Sequence, residues 1–142
     1  MQVWLYEDDA DVGDWVKRAK SGYRPWARKI GKIEEVILPT PAAFEKLLST
    51  NKGAAPDLIV VDLEIEGEDH AGVEAIKSVR ARSEHNDMPI VVFSSNGTRM
   101  ARESAYEAGA TSYVKKPAHA GRRVDALADI FGYWLELNQA RG

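Results

Sequence analysis

Three things are scarce or missing in this chain of 142 residues: cysteine, long hydrophobic runs and an excess of either charge. Without cysteine, the chain has no disulfide bonds, thiolate metal ligands or cysteine nucleophiles, and it suits a reducing cytoplasm. No apolar stretch approaches the roughly 18 residues of a membrane-spanning helix, so we expect no membrane partner. The net charge of −3 gives no general attraction to nucleic acid, and we expect no nucleic-acid partner.

Short apolar runs alternate with segments of helical spacing along the whole chain. The runs lie at 3–6, 35–38, 58–61, 90–93 and 111–114, and each is followed by apolar residues at helical intervals. This alternation predicts an α/β domain with a doubly wound, five-stranded parallel sheet and helices on both faces. We expect a single domain over 1–142, with an extended helix 1/strand 2 region at about 20–34 and a last helix at about 121–139.

Local signals mark several helix ends. Thr40 is a predicted N-cap with proline following it, Thr98 is a second predicted cap, and Gly109 is placed to end the fourth helix. The charged residues of 17–32 are all basic, which is typical either of a solvated helix face or of a docking surface for an acidic partner. The last helix carries an apolar stripe wider than one buried face needs, which favours a homodimer or another partner at that helix.

Polar residues follow four of the five predicted strands. Glu7 and Asp8 end the first strand, Asp62 the third, Ser94 the fourth, and Lys116 closely follows the fifth. The carboxyl ends of parallel strands lie at one edge of the sheet, where ligands bind. Neighbouring carboxylates stay ionised together only with a cation, and an all-oxygen set suits Mg²⁺. Together with a lysine and a hydroxyl, this set indicates a phosphoryl-binding site with Asp62 as the nucleophile.

Four segments resemble the receiver domain of two-component response regulators. Residues 5–9 resemble the acidic pair after the first strand, and 56–62 resemble the strand that ends in the phosphorylated aspartate. Residues 89–94 resemble the strand ending in the switch hydroxyl, and 108–117 resemble the segment with the switch aromatic and the lysine. The resemblance implies a flavodoxin-like sheet with strand order 2-1-3-4-5.

The resemblance also implies a cofactor and a reaction. Mg²⁺ would be bound by Asp8, by Asp62, by the backbone carbonyl of Glu64, and by Glu7 through water. Asp62 would take a phosphoryl group from a phosphohistidine on a sensor histidine kinase or a histidine phosphotransfer protein. The protein would thus be no enzyme toward other substrates and would catalyse only its own phosphorylation and dephosphorylation.

The remaining residues implied by the resemblance form the switch. Lys116 would bind the phosphoryl group, Ser94 would move to hydrogen-bond it, and Tyr113 would turn inward. The surface of helix 4, strand 5 and helix 5 would then change shape toward a downstream protein target. Because no further predicted element follows the last helix, we expect a stand-alone receiver.

Two alternative functions remain open, and one difference from the family's usual sequence bears on them. A degenerate receiver would never be phosphorylated and would act as an interaction module. An aspartate-nucleophile phosphatase of the haloacid dehalogenase type would need an aspartate two residues after its nucleophile, where this chain has Glu64. The family usually has a proline four residues after the acceptor, where this chain has Glu66, which leaves the lifetime of the phosphoryl bond open.

Overall fold

Five strands alternate with five α-helices in a computed structural model that describes residues 1–21, 32–51, 55–68, 70–82 and 87–139. All strand pairs are parallel, and the order is β2-β1-β3-β4-β5, as predicted. The strands are β1 (Gln2–Tyr6), β2 (Glu34–Leu38), β3 (Leu58–Val61), β4 (Ile90–Ser94) and β5 (Ser112–Lys115). The helices are α1 (Val12–Ser21), α2 (Pro41–Thr50), α3 (Ala71–Arg80), α4 (Arg99–Ala108) and α5 (Ala120–Gly132).

Two apolar cores lie on opposite faces of the sheet. Because side chains alternate along a strand, Leu58 and Val60 of β3 face α1 and α5, whereas Ile59 and Val61 face α2, α3 and α4. Complete burial of a side chain such as Phe131 of α5 contributes about 1.5–3 kcal/mol. Both faces of the central strands are therefore covered, and the buried polar side chains of the described residues lie at the carboxyl end of the sheet.

Three predicted helix ends are confirmed. The hydroxyl of Thr40 accepts the Ala43 N–H at 3.1 Å, and that of Thr98 accepts the Ala101 N–H at 3.2 Å. Gly109 follows α4 with φ of 118°, in the left-handed region that favours glycine. Each of the two threonine N-caps contributes about 1 kcal/mol.

The last helix differs from the single α-helix predicted at about 121–139. The α-helix ends at Gly132, and a π-helical turn follows at Tyr133–Leu137, closed by the Asn138 N–H on the Tyr133 carbonyl at 2.6 Å. Glycine has low helix propensity, so the change of helical pitch falls where the α-helix is weakest.

Two further expectations concern the region between helix 1 and strand 2 and the absence of a membrane-spanning helix. The region at about 20–34, with most of the basic stretch 17–32, falls largely on 22–31, which lies outside the described residues. Within the described ranges, none of the helices has the length and apolar character needed to cross a membrane.

Candidate functional site

Four buried polar side chains lie at the carboxyl edge of the sheet. They are the buried polar or charged residues of the part of the chain that the structure describes, namely Glu7, Asp62, Ser94 and Lys116. Each ends or directly follows a different strand, and the strand register aligns Tyr6 with Val61 and Ser94 with Lys115. Burying ionised groups is costly unless they are paired, so their convergence indicates a functional site.

Lys116 connects the two buried carboxylates. Its Nζ lies 2.8 Å from Glu7 Oε2 and 3.2 Å from Asp62 Oδ2. Its backbone N–H donates to the Ser94 carbonyl at 2.7 Å, which fixes the turn after β5 against β4. The ammonium group also lies 5.7 Å from the centre of the Trp15 ring. The lysine is therefore held in place by backbone and side-chain contacts together.

Three carboxylates at this edge can share one cation. Glu7, Asp8 and Asp62 each offer an oxygen within 4.8 Å of the other two. Glu7 and Asp62 are buried, whereas Asp8 is exposed at the mouth of a polar cavity of about 510 Å³. Oxygen ligands alone suit a hard divalent ion such as Mg²⁺, so the residues present fit the predicted metal.

The electrostatics of the site show an excess of negative charge. Burial, and next the charge of Asp62, raise the pKa of Glu7 from its ordinary 4.5 to about 7, although Lys116 opposes the shift. Thus the ammonium of Lys116 alone does not balance the carboxylates around it. A bound cation would remove this excess of negative charge, and Glu7 would then no longer need its proton.

The loop after β3 explains the departure from the family's proline. Glu66 and Gly67 have φ of 55° and 78°, and Ile65 and Glu68 exchange backbone hydrogen bonds around them, which is the pattern of a type I′ turn. Proline fixes φ near −65° and has no N–H. The Glu66 N–H donates to Asp8 Oδ2 at 2.8 Å, so this chain uses position 66 to hold a candidate metal ligand.

A close approach at Gly72 sets the position of Asp62. A Cβ at residue 72 would lie 2.4 Å from the Asp62 carbonyl oxygen and 2.5 Å from Leu63 Cα, so only glycine fits.

Glu64 lines the cavity, and its N–H reaches Asp62 Oδ1 at 3.4 Å. The assignment of the Glu64 carbonyl as a metal ligand stays a prediction.

Ser94 and Tyr113 are linked through the loop after β4. Ser94 Oγ accepts the Asn96 N–H at 3.3 Å, and the Tyr113 hydroxyl donates to the Asn96 carbonyl. Ser94 and Asn96 line the cavity, and Tyr113 packs at the edge of the core behind them. Burial raises the pKa of Tyr113 above its usual value, so its hydroxyl remains a donor at neutral pH.

Sequence reasoning missed two charged residues of the cavity. Arg123 of α5 and Asp9 both line it, and their side chains form an ion pair with Nη1 3.6 Å from Oδ2. Asp9 belongs to the run of three acids after β1, and that run is the sequence feature that could have indicated its place in the cavity. Nothing in the local sequence of α5 indicates that Arg123 faces the loop after β1, because that contact joins distant segments.

Fold and site together define a doubly wound α/β domain, with an acidic triad and a lysine at the carboxyl edge of a 2-1-3-4-5 sheet. Comparison with known families agrees, since the response regulator receiver domain profile matches residues 28–128. The chain belongs to this family of two-component signalling domains. Receiver domains interact in general with histidine kinases and downstream targets.

Curated relatives are mostly much longer proteins. The transcriptional regulator NtrC of Escherichia coli (strain K12) is 25% identical over 139 residues, which cover 98% of this chain and 26% of NtrC. A chemotaxis protein CheY homolog of Campylobacter jejuni (strain 81-176) is 33% identical over 61 residues, which cover 43% of this chain and 47% of that protein. The chain thus spans about a quarter of the length of NtrC.

Solved structures share the fold over nearly the whole chain. The phosphorylated cyanobacterial phytochrome response regulator RcpA has a TM-score of 0.82 at 18% identity, with coverage of 99% of this chain and 98% of that one. The Mn²⁺-bound response regulator Rcp1 has a TM-score of 0.80 at 20% identity, with 99% of each chain covered. The receiver domain of PA1611 from Pseudomonas aeruginosa has Mg²⁺ in its active-site cleft, with a TM-score of 0.63 at 22% identity and coverage of 94% and 96%.

Proposed function

We propose that this chain is a phosphoacceptor switch that takes a phosphoryl group from a phosphohistidine onto Asp62. The observation that carries the proposal is the convergence of Asp62 with Glu7, Asp8 and Lys116, in contact or near contact around one open cavity. Glu7, Asp8 and Asp62 would hold Mg²⁺. When bound, Mg²⁺ would supply positive charge that stabilises the phosphoryl oxygens during transfer.

The reaction needs little more than positioning and charge. A carboxylate oxygen of Asp62 attacks phosphorus, the new O–P bond forms, and the P–N bond breaks with its electron pair left on the imidazole nitrogen. Once an Asp62 oxygen is bonded to phosphorus, it no longer carries the negative charge that pairs with Lys116. Lys116 can then donate to a phosphoryl oxygen instead. Because Lys116 is held by Glu7 and the backbone of Ser94, it needs no large movement to do so.

The switch follows from the link between Ser94 and Tyr113. A phosphoryl oxygen that draws the Ser94 hydroxyl toward it weakens the bond from the Asn96 N–H to Ser94 Oγ. Asn96 also accepts from Tyr113, so a change at Ser94 reaches β5 in two steps. The result is a population shift of the α4, β5 and α5 surface, which a downstream protein would read.

Labelling with a small phosphodonor tests the acceptor. The protein with Mg²⁺ and phosphoramidate should gain one phosphoryl group by intact mass spectrometry, and the Asp62→Asn variant should gain none. Asp57→Asn is a matched control, because Asp57 lies just before the same strand, at the end opposite to Asp62, where its carboxylate accepts the Gln2 N–H. Label on the Asp62→Asn variant, or none on the wild type, would contradict the proposal; the second result would favour a degenerate receiver.

The phosphatase alternative predicts sustained turnover. A true phosphatase would release phosphate from excess donor continuously. The proposed switch would instead hydrolyse only its own phosphoaspartate, at a rate set by the lifetime of that bond. Steady-state release far above the decay rate of labelled protein would show an enzyme acting on other substrates.

The homodimer at the last helix also remains a proposal. Tyr133 and Leu137 of the π-helical turn are 50% and 55% exposed, which leaves two large apolar side chains on that surface. A Leu137→Asp variant should lower the mass measured by light scattering if these residues join two copies. An unchanged monomer mass in the wild type, with and without phosphodonor, would exclude this dimer.

A further inference from the structure

Arg123 lies in the cavity wall but has no part in the reaction described above. Its side chain, 19% exposed, is held at three points. Nε donates to the Pro117 carbonyl at 2.7 Å, Nη1 lies 3.6 Å from Asp9 Oδ2, and the guanidinium group lies 5.1 Å from the Trp15 ring centre. A guanidinium anchored in this way can place a fixed positive charge beside the acidic triad.

Asp9 lines the same cavity, but its carboxylate is engaged by other contacts. Its Oδ1 accepts the Asp11 N–H at 2.9 Å at the start of α1, and its Oδ2 pairs with Arg123. Both oxygens are therefore engaged. Within the described part of the chain, the carboxylates that could share a metal ion are those of the triad, and Asp9 is not among them although it follows Asp8 directly.

We propose that Arg123 is a positioning residue of the metal site, which holds Asp9 out of the acidic triad and lowers the affinity of the triad for Mg²⁺. The inference rests on the proposed function, since it takes the triad as the Mg²⁺ site. Its physical basis is charge. Without Arg123, the cavity loses a cation and gains an unpaired carboxylate, and both changes favour binding of a divalent cation.

A purely structural role would have the opposite effect. If Arg123 mattered only through its bond to Pro117, removing it would loosen the turn that carries Lys116. The triad would then be less well ordered, and Mg²⁺ would bind more weakly or equally well. The sign of the change in affinity therefore separates the two roles.

The experiment measures the Kd of Mg²⁺ by calorimetry on the full chain. Arg123→Met should bind Mg²⁺ roughly three- to tenfold more tightly, as expected for loss of a unit charge near a divalent ion in a partly solvated site. Arg123→Lys keeps the charge and should stay near the wild-type Kd. Arg122→Met is the matched control, because Arg122 is the exposed neighbour on α5 and does not line the acidic cavity.

The Asp9→Asn variant gives an independent test if Arg123→Met folds poorly. It leaves the charge of Arg123 without its partner, so Mg²⁺ should bind more weakly than in the wild type. The double variant of Asp9 and Arg123 should return toward the wild-type Kd. An unchanged or weaker affinity in folded Arg123→Met, or the same gain in Arg122→Met, would overturn the inference.

Failure of the proposed function looks different in the same data. If the wild type shows no Mg²⁺ binding that depends on Asp62, the metal site itself is wrong and both proposals fail. If Asp62-dependent binding is present and Arg123→Met behaves like Arg122→Met, only the role of Arg123 fails.

Discussion

Replacing Glu7 by glutamine should stabilise the metal-free protein at neutral and higher pH. Glu7 is buried with its carboxylate between Asp62 and Lys116, and its pKa is raised from 4.5 to about 7, first by burial and then by the charge of Asp62. Glutamine has the same shape and keeps an oxygen that can accept from Lys116. The substitution therefore removes a charge without leaving a cavity.

The pKa shift sets the size and the sign of the effect. At 1.36 kcal/mol per pKa unit, the shift of Glu7 corresponds to about 3 kcal/mol. Because the pKa is higher in the folded state, the folded protein keeps a proton that the unfolded chain has lost between pH 4.5 and about 7. The free energy of unfolding therefore falls as pH rises through this window, and Glu7→Gln should abolish that fall.

The assay is urea unfolding in the presence of a chelator, at about pH 5 and about pH 8, below and above most of the Glu7 titration. The wild type and Glu7→Gln should have similar stability at the lower pH, and Glu7→Gln should be more stable by about 3 kcal/mol at the higher pH. Mg²⁺ should stabilise the wild type much more than the variant at the higher pH. Parallel pH profiles for the two proteins would refute the reasoning.

Three further substitutions test single contacts. Lys116→Met should keep Mg²⁺ binding and slow phosphorylation. It should also lower the free energy of unfolding without metal by about 3–5 kcal/mol, because it leaves buried carboxylates unpaired. Exposed Lys115→Met is the control, and an equal loss of stability in both variants would contradict this prediction. Gly72→Ala should cost about 1–3 kcal/mol and slow labelling, since its Cβ would displace the Asp62 backbone; wild-type stability and rate would refute the close approach. Glu66→Pro should destabilise by more than about 1 kcal/mol, whereas Glu66→Gly keeps the positive φ and should be tolerated; an equally stable proline variant would count against the turn.

The sheet and its reactive edge could be predicted because both follow from local patterns. A continuous apolar run bounded by polar residues, as at 58–61, is enough to indicate a buried parallel strand. Parallel strands then bring their carboxyl ends together whatever the exact packing. Asp62 and Lys116 are 54 residues apart in sequence, yet the strand pattern alone places them on one edge.

The remaining features depend on distances between loops, which no local pattern contains. The left-handed conformation at Glu66 follows from its position in a two-residue turn, and glutamate itself does not favour it. The need for glycine at 72 arises because α3 begins against the backbone of the loop after β3. The ion pair of Arg123 with Asp9 joins segments 114 residues apart, so its signal exists only in the folded chain.

The charges at the sheet edge account for the raised pKa of Glu7 and are the basis of the proposed binding of a divalent ion. The triad of Glu7, Asp8 and Asp62 carries three negative charges when ionised, Lys116 supplies one positive charge, and Asp9 with Arg123 adds nothing to the sum. The imbalance is two charges. Without metal, Glu7 reduces it by keeping a proton near neutral pH; a divalent cation removes it entirely. If Arg123 were absent, Asp9 would raise the imbalance to three charges, more than one Mg²⁺ neutralises, so the proposed role of the ion pair is to match the triad to a single divalent ion.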